Sequence, residues 1–342
     1  MTAIDPVPRG AIDMTHGAGG RAMAGLIRDV FHRHLGNAYL AQGDDGALLG
    51  RVEGRLVMAT DAHVVSPLFF PGGDIGALAV HGTINDIAMM GARPLWLSAS
   101  FILEEGLALA TLDRIVASMA RAAREASVPV VTGDTKVVEK GKGDGVFIAT
   151  TGIGVLADGV AISGSGARPG NVILVSGTMG DHGVAILSRR EGLAFETEIV
   201  SDSQPLHDLV AAMLASVSGI RVLRDPTRGG LAATLNEIAH QSQAGMVLDE
   251  PAVPVQPEVA AACELLGLDP LNIANEGKLV AICEAADAEA LLAAMRAHPR
   301  GRDAAIIGEV VADERTLVRM RTRLGGMRVV DWIDGEQLPR IC

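Results

Sequence analysis

The sequence predicts an α/β or α+β protein of two domains, each with a layer of strands and a layer of helices. At 342 residues the chain is long enough for two domains, and a hydrophobic content of 49% supplies two cores. Patterns typical of short apolar strands alternate with helical patterns along both halves. A stretch rich in Gly, Ser and Pro at residues 162–170 separates the halves and is the predicted domain boundary.

The first half is predicted to hold an N-terminal lead and one domain. Residues 1–40 form a Gly-rich lead followed by a helix, because the apolar residues from Met23 to Phe31 recur with a period near 3.6. Residues 41–160 form the first domain. Its predicted strands lie at 47–52, 55–60, 95–103, 128–132 and 146–155, and its predicted helices at 72–90 and 111–127.

The second half is predicted to form another domain over residues 170–325, followed by a flexible tail over residues 326–342 that begins with a strand-like piece. No internal repeat with a period typical of solenoids is visible. The predicted strands lie at 172–176, 246–248, 279–283, 304–311 and 315–320, and the predicted helices at 183–190, 205–217, 229–243, 258–266 and 287–296.

Composition excludes several classes of function. The formal net charge of −12 argues against a nucleic-acid partner, which calls for a basic surface, but it suits a site where carboxylates gather around divalent cations. No apolar run approaches the ~18 residues that span a membrane, and no signal peptide is evident. Three cysteines without metal-ligand spacing fit a reduced compartment, so we predict a cytoplasmic protein.

The chain ends on a cysteine, Cys342. Chain termini usually fray, so we expect this thiol to be exposed and available for reaction or modification. From this residue alone, an incidental Cys on a disordered tail is the simpler interpretation. If the tail carries chemistry, Asp334-Gly335 is its predicted hinge and Leu338-Pro339 its stiff end.

Acidic clusters recur in the first half where apolar strands or helices are predicted to end. A single Asp at such a position is more often a turn or helix-cap residue. Four clusters together favour function, because Mg²⁺ binds one or two carboxylates along with phosphate oxygens. Spacing alone does not say which of them bind metal. The clusters are Asp44-Asp45 between two glycines, Thr60-Asp61, Asn85-Asp86, and Gly133-Asp134-Thr135-Lys136.

Two motifs of the second half also lie at predicted junctions. Arg224–Gly230, which contains Asp225, Thr227 and Arg228, precedes a predicted helix. It is either an anion site at a helix start or a simply capped helix, and both interpretations stay open. Glu276 lies between Asn275 and Gly277, a pattern typical of a turn. No phosphate-binding loop of the Walker type is present.

Taken together, these motifs resemble the HypE family of hydrogenase maturation factors, within the AIR-synthase-related (PurM-like) ATP-dependent superfamily. The resemblance covers essentially the whole chain. Acidic motifs alone would fit several members of the superfamily. The more specific carriers are TGDTKVV at 132–138, DPTRGG at 225–230 and the terminal PRIC at 339–342.

The resemblance implies a fold, a reaction and partners. Strands of two N-terminal domains join in a β-barrel across a homodimer, and ATP lies in the cleft between the two domains of a chain. The carbamoyltransferase HypF places a carbamoyl group on the terminal Cys, and ATP drives its dehydration to a thiocyanate. The cyanide then passes through a HypC–HypD complex to the iron of a NiFe hydrogenase.

The resemblance also implies residue roles. Cys342 carries the substrate group. Glu276 is the implied base and Lys136 its polarising or relaying partner, although the choice of base between these two stays open. The implied Mg²⁺ ligands are Asp45, Asp61, Asp86 and Asp134. The implied ATP-binding residues are Asp44, Thr60, Asn85, Gly133, Thr135, Asp225, Thr227 and Arg228.

Other functions remain as alternatives. A selenophosphate synthetase needs a reactive Cys and Lys near its N-terminus, whereas the first Cys here is Cys263 and the first Lys is Lys136. A thiamine-phosphate kinase has no use for a terminal Cys. A non-catalytic carrier that only presents Cys342 to partner enzymes would not need the acidic clusters.

Overall fold

A computed structural model describes residues 8–192, 198–333, 335 and 340–342. The predicted hinge residue Asp334 and the predicted stiff end Leu338-Pro339 lie outside this part of the chain. Within it, no helix combines the length and the apolar character needed to cross a membrane.

The predicted N-terminal helix is confirmed. α1 (Arg21–Leu26) continues through a π-helical stretch (Ile27–His32) into α2 (Arg33–Leu35). The Phe31 ring meets the Phe101 ring edge-on, with 4.9 Å between their centroids. This contact fixes the helix against the sheet of the first domain.

The first domain is a sheet with helices packed on one face. Among the described residues the sheet has four strands in the order β1-β6-β4-β5, and its pairs are antiparallel except β4 with β5. A strand at 47–52 was wrongly predicted, because those residues are irregular. The elements are β1 (Arg55–His63), β2 (Phe69–Phe70), β3 (Gly73–Asp74), α3 (Ile75–Met89), β4 (Ala92–Glu104), α4 (Leu109–Glu125), β5 (Val130–Val138) and β6 (Val146–Leu156).

The opposite face of this sheet is open. Leu56 and Met58 alternate along β1 and are exposed, as is Ile102 on β4. Among the residues that the structure describes, β1 is an edge strand and the sheet does not close into a barrel. The β-barrel implied by the resemblance therefore needs a second copy.

The second domain carries helices on both faces of a larger sheet. Among the described residues its strand order is β13-β12-β9-β11-β7-β10-β8, parallel only between β12 and β9. β13 lies within the range predicted as tail. The elements are β7 (Val172–Val175), α5 (Asp181–Glu191), α6 (His207–Ser216), β8 (Ile220–Arg224), α7 (Gly230–Ser242), β9 (Gly245–Asp249), α8 (Pro257–Leu266), β10 (Val280–Cys283), α9 (Ala288–Ala297), β11 (Ala305–Val311), β12 (Val318–Arg321) and β13 (Met327–Val329).

Helix α3 joins the two domains. Its end, at Ala88 and Met89, is buried in the same apolar cluster as Leu209 of α6 and Leu223 of β8. The polar residues near the end of α3 therefore face the second domain. Cys263 on α8 and Cys283 on β10 are buried.

Candidate functional site

The last residues of the chain are docked between the two domains. Ile341 pairs antiparallel with Val65. The Val64 N–H donates to the Cys342 carbonyl at 3.1 Å, and the Ser66 N–H donates to that of Arg340 at 3.1 Å. Ile341 is only 7% exposed. The expectation of a frayed, exposed terminus is thus wrong for these residues, because main-chain bonds and an apolar anchor hold them.

The Cys342 thiol is partly buried and faces charged groups of both domains. It lies close to Arg228 and within electrostatic reach of Glu276 and Asp61. Burial, and then the charge of Glu276, raise the pKa of the Cys342 thiol to about 12, against the opposing effect of Arg228. The docked sulfur is therefore a neutral thiol, and the expected reactivity of an exposed terminal thiol does not apply to this position.

Carboxyl groups from both domains cluster around Glu276. Burial first, and then Asp225 and Asp61, raise the pKa of Asp86 to about 7. Burial raises the pKa of Asp225 to about 6. Glu276 is 4% exposed, and burial followed by the charges of Asp225 and Asp202 raises its pKa well above the ordinary value. A cation or a proton would relieve this mutual repulsion.

A glycine allows β1 and α3 to bring Asp61 and Asp86 together. A Cβ on Gly82 would lie 2.8 Å from His63 Nε2 and 3.2 Å from Asp61 Oδ2. A larger residue there would displace the His63 ring or the Asp61 carboxylate from this position. Burial acts to raise the pKa of Asp61, but His63 and the charge of Arg228 outweigh it, so the pKa is lowered. Asp61 is thus the ionised member of the cluster.

Glu276 is held in place by its neighbours. Its N–H donates to Asp202 Oδ1 at 2.9 Å. Gly277 lies so close to the Asp202 carbonyl oxygen that no side chain fits there. The Glu276 Oε1 atom is buried and has no hydrogen-bond partner in the described chain. A buried carboxyl oxygen without a partner is costly, and it suits a group that accepts a proton from a ligand.

Lys136 does not pair with Glu276 in this structure. Its Nζ lies 2.7 Å from Asp134 Oδ2, and the side chain is exposed. The lysine near Glu276 is Lys278, whose Nζ lies 3.8 Å from Asp202 Oδ2. Lys278 was overlooked as a site residue, although it ends the Asn275–Lys278 motif and is one of few lysines in the chain.

The four predicted Mg²⁺ ligands are not brought together within one chain. Asp61 and Asp86 are neighbours, whereas Asp134 is paired with Lys136. Asp45, like Asp44, is exposed and makes no hydrogen bond or ion pair with the described residues. Nor does the described chain contain a group of three or more His, Cys, Asp or Glu side chains placed to hold a metal ion. The sequence left open which of these carboxylates share an ion, because spacing along the chain does not report which turns meet in space.

The predicted ATP-binding residues fall into separate places. Gly133 and Thr135 line a cavity of about 260 Å³ beside the N-terminal helix, with Phe31 as one apolar wall. Thr60 Oγ1 donates to the Thr150 carbonyl at 3.1 Å on the open face of the sheet. In contrast, Asp225, Thr227 and Arg228 occupy the loop between β8 and α7 that faces Cys342.

Asn85 is buried between the domains, and main-chain groups use both ends of its amide. Its Nδ2 donates to the carbonyls of Gln204 at 3.1 Å and Glu276 at 3.3 Å. Its Oδ1 accepts from the Leu206 N–H at 2.7 Å. In this structure the amide predicted to bind ATP fastens α3 to the second domain.

Replacing Asn85 with alanine should lower the free energy of unfolding by about 2–4 kcal/mol, because it leaves buried main-chain groups of the second domain without partners. Urea denaturation followed by circular dichroism measures this. The control is Gln42→Ala on the surface, expected within about 0.5 kcal/mol of wild type. Equal stability of the two variants would remove Asn85 from this role.

The fold and the site define a class of protein. Two family models match the chain: AIR synthase related protein, N-terminal domain, over residues 43–156, and AIR synthase related protein, C-terminal domain, over residues 168–321. The acidic site described above lies where these two domains meet. The chain is therefore an AIR synthase-related protein, as its motifs predicted.

Within that class the chain belongs to the HypE family. It is 71% identical over 337 residues to carbamoyl dehydratase HypE of Cupriavidus necator, covering 98% of this chain and 96% of that protein. The crystal structure of a hydrogenase maturation protein HypE in complex with ATP matches with a TM-score of 0.93 at 53% identity, covering 96% of this chain and 99% of that one. A HypE–HypF complex matches with a TM-score of 0.80 at 49% identity, covering 90% and 99%.

Proposed function

We propose that this protein is an ATP-dependent carbamoyl dehydratase that converts an S-carbamoyl group on its own Cys342 into a thiocyanate. The docked position of Cys342 carries the proposal, because it sets the sulfur beside Arg228, Glu276 and Asp61. A relative of 71% identity bears the name carbamoyl dehydratase, which supports the same reaction.

The reaction needs a better leaving group than a carbonyl oxygen. ATP supplies a phosphoryl group to that oxygen, and ADP leaves. The C–O bond then breaks with departure of phosphate, two protons leave the nitrogen, and the nitrile remains on sulfur. Arg228 balances negative charge beside the sulfur, and the orphaned Glu276 Oε1 accepts a proton from nitrogen. Lys136 is less suited to be the base, because it is exposed and paired with Asp134.

The acidic residues fit a magnesium ion as donors. Mg²⁺ takes one or two protein carboxylates and completes its shell with water and phosphate oxygens, so it does not require three protein ligands. Asp61 and Asp86 are the pair that would hold it, and the ion would neutralise charge on a bound triphosphate. Asp45 and Asp134 would join only through a loop movement or a second chain.

Nucleotide binding follows from the same arrangement. A HypE of 53% identity has been crystallised with ATP. Here the loop with Asp225, Thr227 and Arg228 faces the cluster where the phosphates are needed. The apolar cavity beside Gly133 and Thr135 would receive a less polar part of the nucleotide.

The proposed partners are those of the maturation pathway. A related HypE has been crystallised in complex with HypF, so we propose that a HypF carbamoyltransferase loads Cys342. A HypC–HypD complex is the proposed acceptor of the cyanide group. Loading by a separate enzyme requires the sulfur to leave the docked position, since Cys342 is partly buried there.

Mass spectrometry of the C-terminal peptide tests the function. The full chain is loaded by a HypF carbamoyltransferase with its carbamoyl donor and no more ATP than the loading consumes, is freed of nucleotide, and then receives ATP or a non-hydrolysable analogue. We expect the carbamoylated peptide to lose the mass of one water only with hydrolysable ATP. A carbamoyl group retained under both conditions would favour the non-catalytic carrier.

We also propose a homodimer that covers the open face of the first sheet. Met58 is 71% exposed in the middle of β1, so Met58→Asp should place a charge in the interface and convert a dimer into a monomer in sedimentation velocity. The matched control is Leu265→Asp, since Leu265 is 74% exposed on α8 of the other domain. If both variants sediment like wild type, this face is not the interface.

A further inference from the structure

Helix α5 of the second domain runs beside the docked tail and presents His182 to it. The side chain is completely buried, with its ring edge-on to Phe70 at 5.5 Å between centroids. His182 Nε2 lies 2.6 Å from the Ile341 carbonyl oxygen, and its Nδ1 lies 2.8 Å from Ser201 Oγ. Both ring nitrogens are therefore engaged, one of them by the residue before Cys342.

The hydrogen bonds define which nitrogen carries the proton. Ser201 Oγ accepts the Ser203 N–H at 3.1 Å, which leaves its hydroxyl proton free to donate to His182 Nδ1. Burial lowers the pKa of His182, so the ring is neutral and holds one proton. That proton lies on Nε2 and is donated to Ile341. An undocked tail would leave this buried N–H without its partner.

Arg190 makes a second contact about two turns further along α5. Its Nη2 donates to the Arg340 carbonyl at 2.7 Å and to that of Ser66 at 2.7 Å. Arg190 therefore ties the tail to the segment of the first domain with which it pairs. Together with the Val64 and Ser66 N–H groups, these donors satisfy the carbonyl of each of the last three residues.

These contacts fix the register of the tail. Side chains alternate along an extended segment, so a slip by one residue would turn Ile341 out of the core and move Cys342 away from Glu276. The donors bind main-chain oxygens and leave the Cys342 side chain free to carry a group. Recognition of the tail is thus separate from the chemistry on its sulfur.

We propose that His182 and Arg190 form a main-chain clamp that holds the C-terminal tail in register and sets how much of the time Cys342 occupies its place at Glu276. They are positioning residues, which act on the reaction only through the tail. The consequence for dehydration rests on the proposed function. The clamp itself is a binding property of the unmodified chain and needs neither ATP nor a carbamoyl group.

Thiol accessibility tests the clamp directly. The full, unmodified chain is treated with a small aromatic disulfide reagent without ATP, and Cys342→Ala identifies the phase that belongs to Cys342. His182→Leu should raise the rate of that phase about ten- to a hundredfold, because a buried carbonyl loses its donor. His182→Gln, which restores an N–H donor, should bring the rate back towards wild type.

Arg190→Met provides a variant at the edge of the core, in case His182→Leu does not fold. It should also raise the rate, by about three- to tenfold, whereas Arg189→Met removes the same charge from an exposed position on α5 and should not. Melting temperature and ATP affinity, measured on each variant, separate undocking from a general loss of structure.

The outcomes distinguish the clamp from the proposed function. Wild-type thiol reactivity in folded His182→Leu and in Arg190→Met would overturn the clamp, even if dehydration proceeds. Raised reactivity without any dehydration by the wild-type chain would leave the clamp standing and remove the proposed function. If the clamp and the proposed function are both correct, the rate of single-turnover dehydration should fall in His182→Leu and in Arg190→Met. It should return towards the wild-type rate in His182→Gln.

Discussion

Replacing Cys342 with alanine should abolish carbamoylation of the chain and every later step, while ATP binding stays unchanged. The sulfur is the atom that carries the proposed substrate group, so its removal leaves nothing to load. The loss should be complete rather than partial. Stability should change by less than about 1 kcal/mol, because the thiol is only partly buried and the main-chain contacts of the tail remain. Mass spectrometry and nucleotide titration measure the two effects separately.

Cys263→Ala and Cys283→Ala are the matched controls for that experiment. Both thiols are buried, and burial raises the pKa of each to about 11, so neither is a nucleophile at neutral pH. Each variant should still be carbamoylated on Cys342 and should lose about 1 kcal/mol of stability through lost packing. Carbamoylation of Cys342→Ala at another residue would contradict the assignment of the substrate.

The fold was predictable from the sequence wherever the hydrophobic period was strong. Helix α4 shows its apolar stripe along Leu112, Ile115 and Met119, and all three are buried. β8 was missed, because arginines at its positions 221 and 224 interrupt a short apolar run. The strand predicted at 47–52 is absent for the opposite reason. Apolar residues such as Leu48, which is exposed, do not form a strand where no partner strand lies beside them.

The site was predictable only in part. Asp61 and Asp86 were found because each lies in a motif with small neighbours, but their meeting depends on Gly82 and on the packing of α3 against β1. Lys136 was paired with Glu276 although Asp134 is its local partner. Spacing along the sequence does not determine contacts between residues that lie far apart in the chain, and the contacts of Asp61 with Asp86 are of this kind.

The tail shows the same limit more sharply. Chain termini fray unless other parts of the protein bind them, and no pattern in the last six residues predicts such contacts. His182 lies 159 residues before Ile341 in the sequence. Its role emerges only from the position of α5 beside Ile341.

Replacing Glu276 with glutamine should leave the carbamoylated chain intact in the presence of ATP. Glutamine keeps the size of the side chain but cannot accept the proton, so single-turnover dehydration should fall by about 10²–10⁴-fold. Loading of Cys342 and ATP affinity should remain near wild type, since neither needs a base at this position. Quenched reactions analysed by mass spectrometry give the rate, and Glu264→Gln, an exposed position on α8, is the control.

The pH dependence makes the test of Glu276 specific. Burial and neighbouring carboxylates raise the pKa of Glu276 well above the usual value. The ionised form that can accept a proton therefore becomes more populated as pH rises towards this raised pKa. Over the same pH range, the rate of wild-type dehydration should increase. The same shift makes ionised Glu276 unfavourable in the fold. Its contribution to stability is therefore fully present below the unfolded pKa and is lost as pH rises through the folded pKa. Glu276→Gln should flatten the rate profile and, in thermal melts, gain stability relative to wild type as pH increases. A variant that dehydrates normally with an unchanged pH profile would exclude Glu276 as the base, whereas a slow variant with an unchanged stability profile would show that the carboxyl is not buried as described.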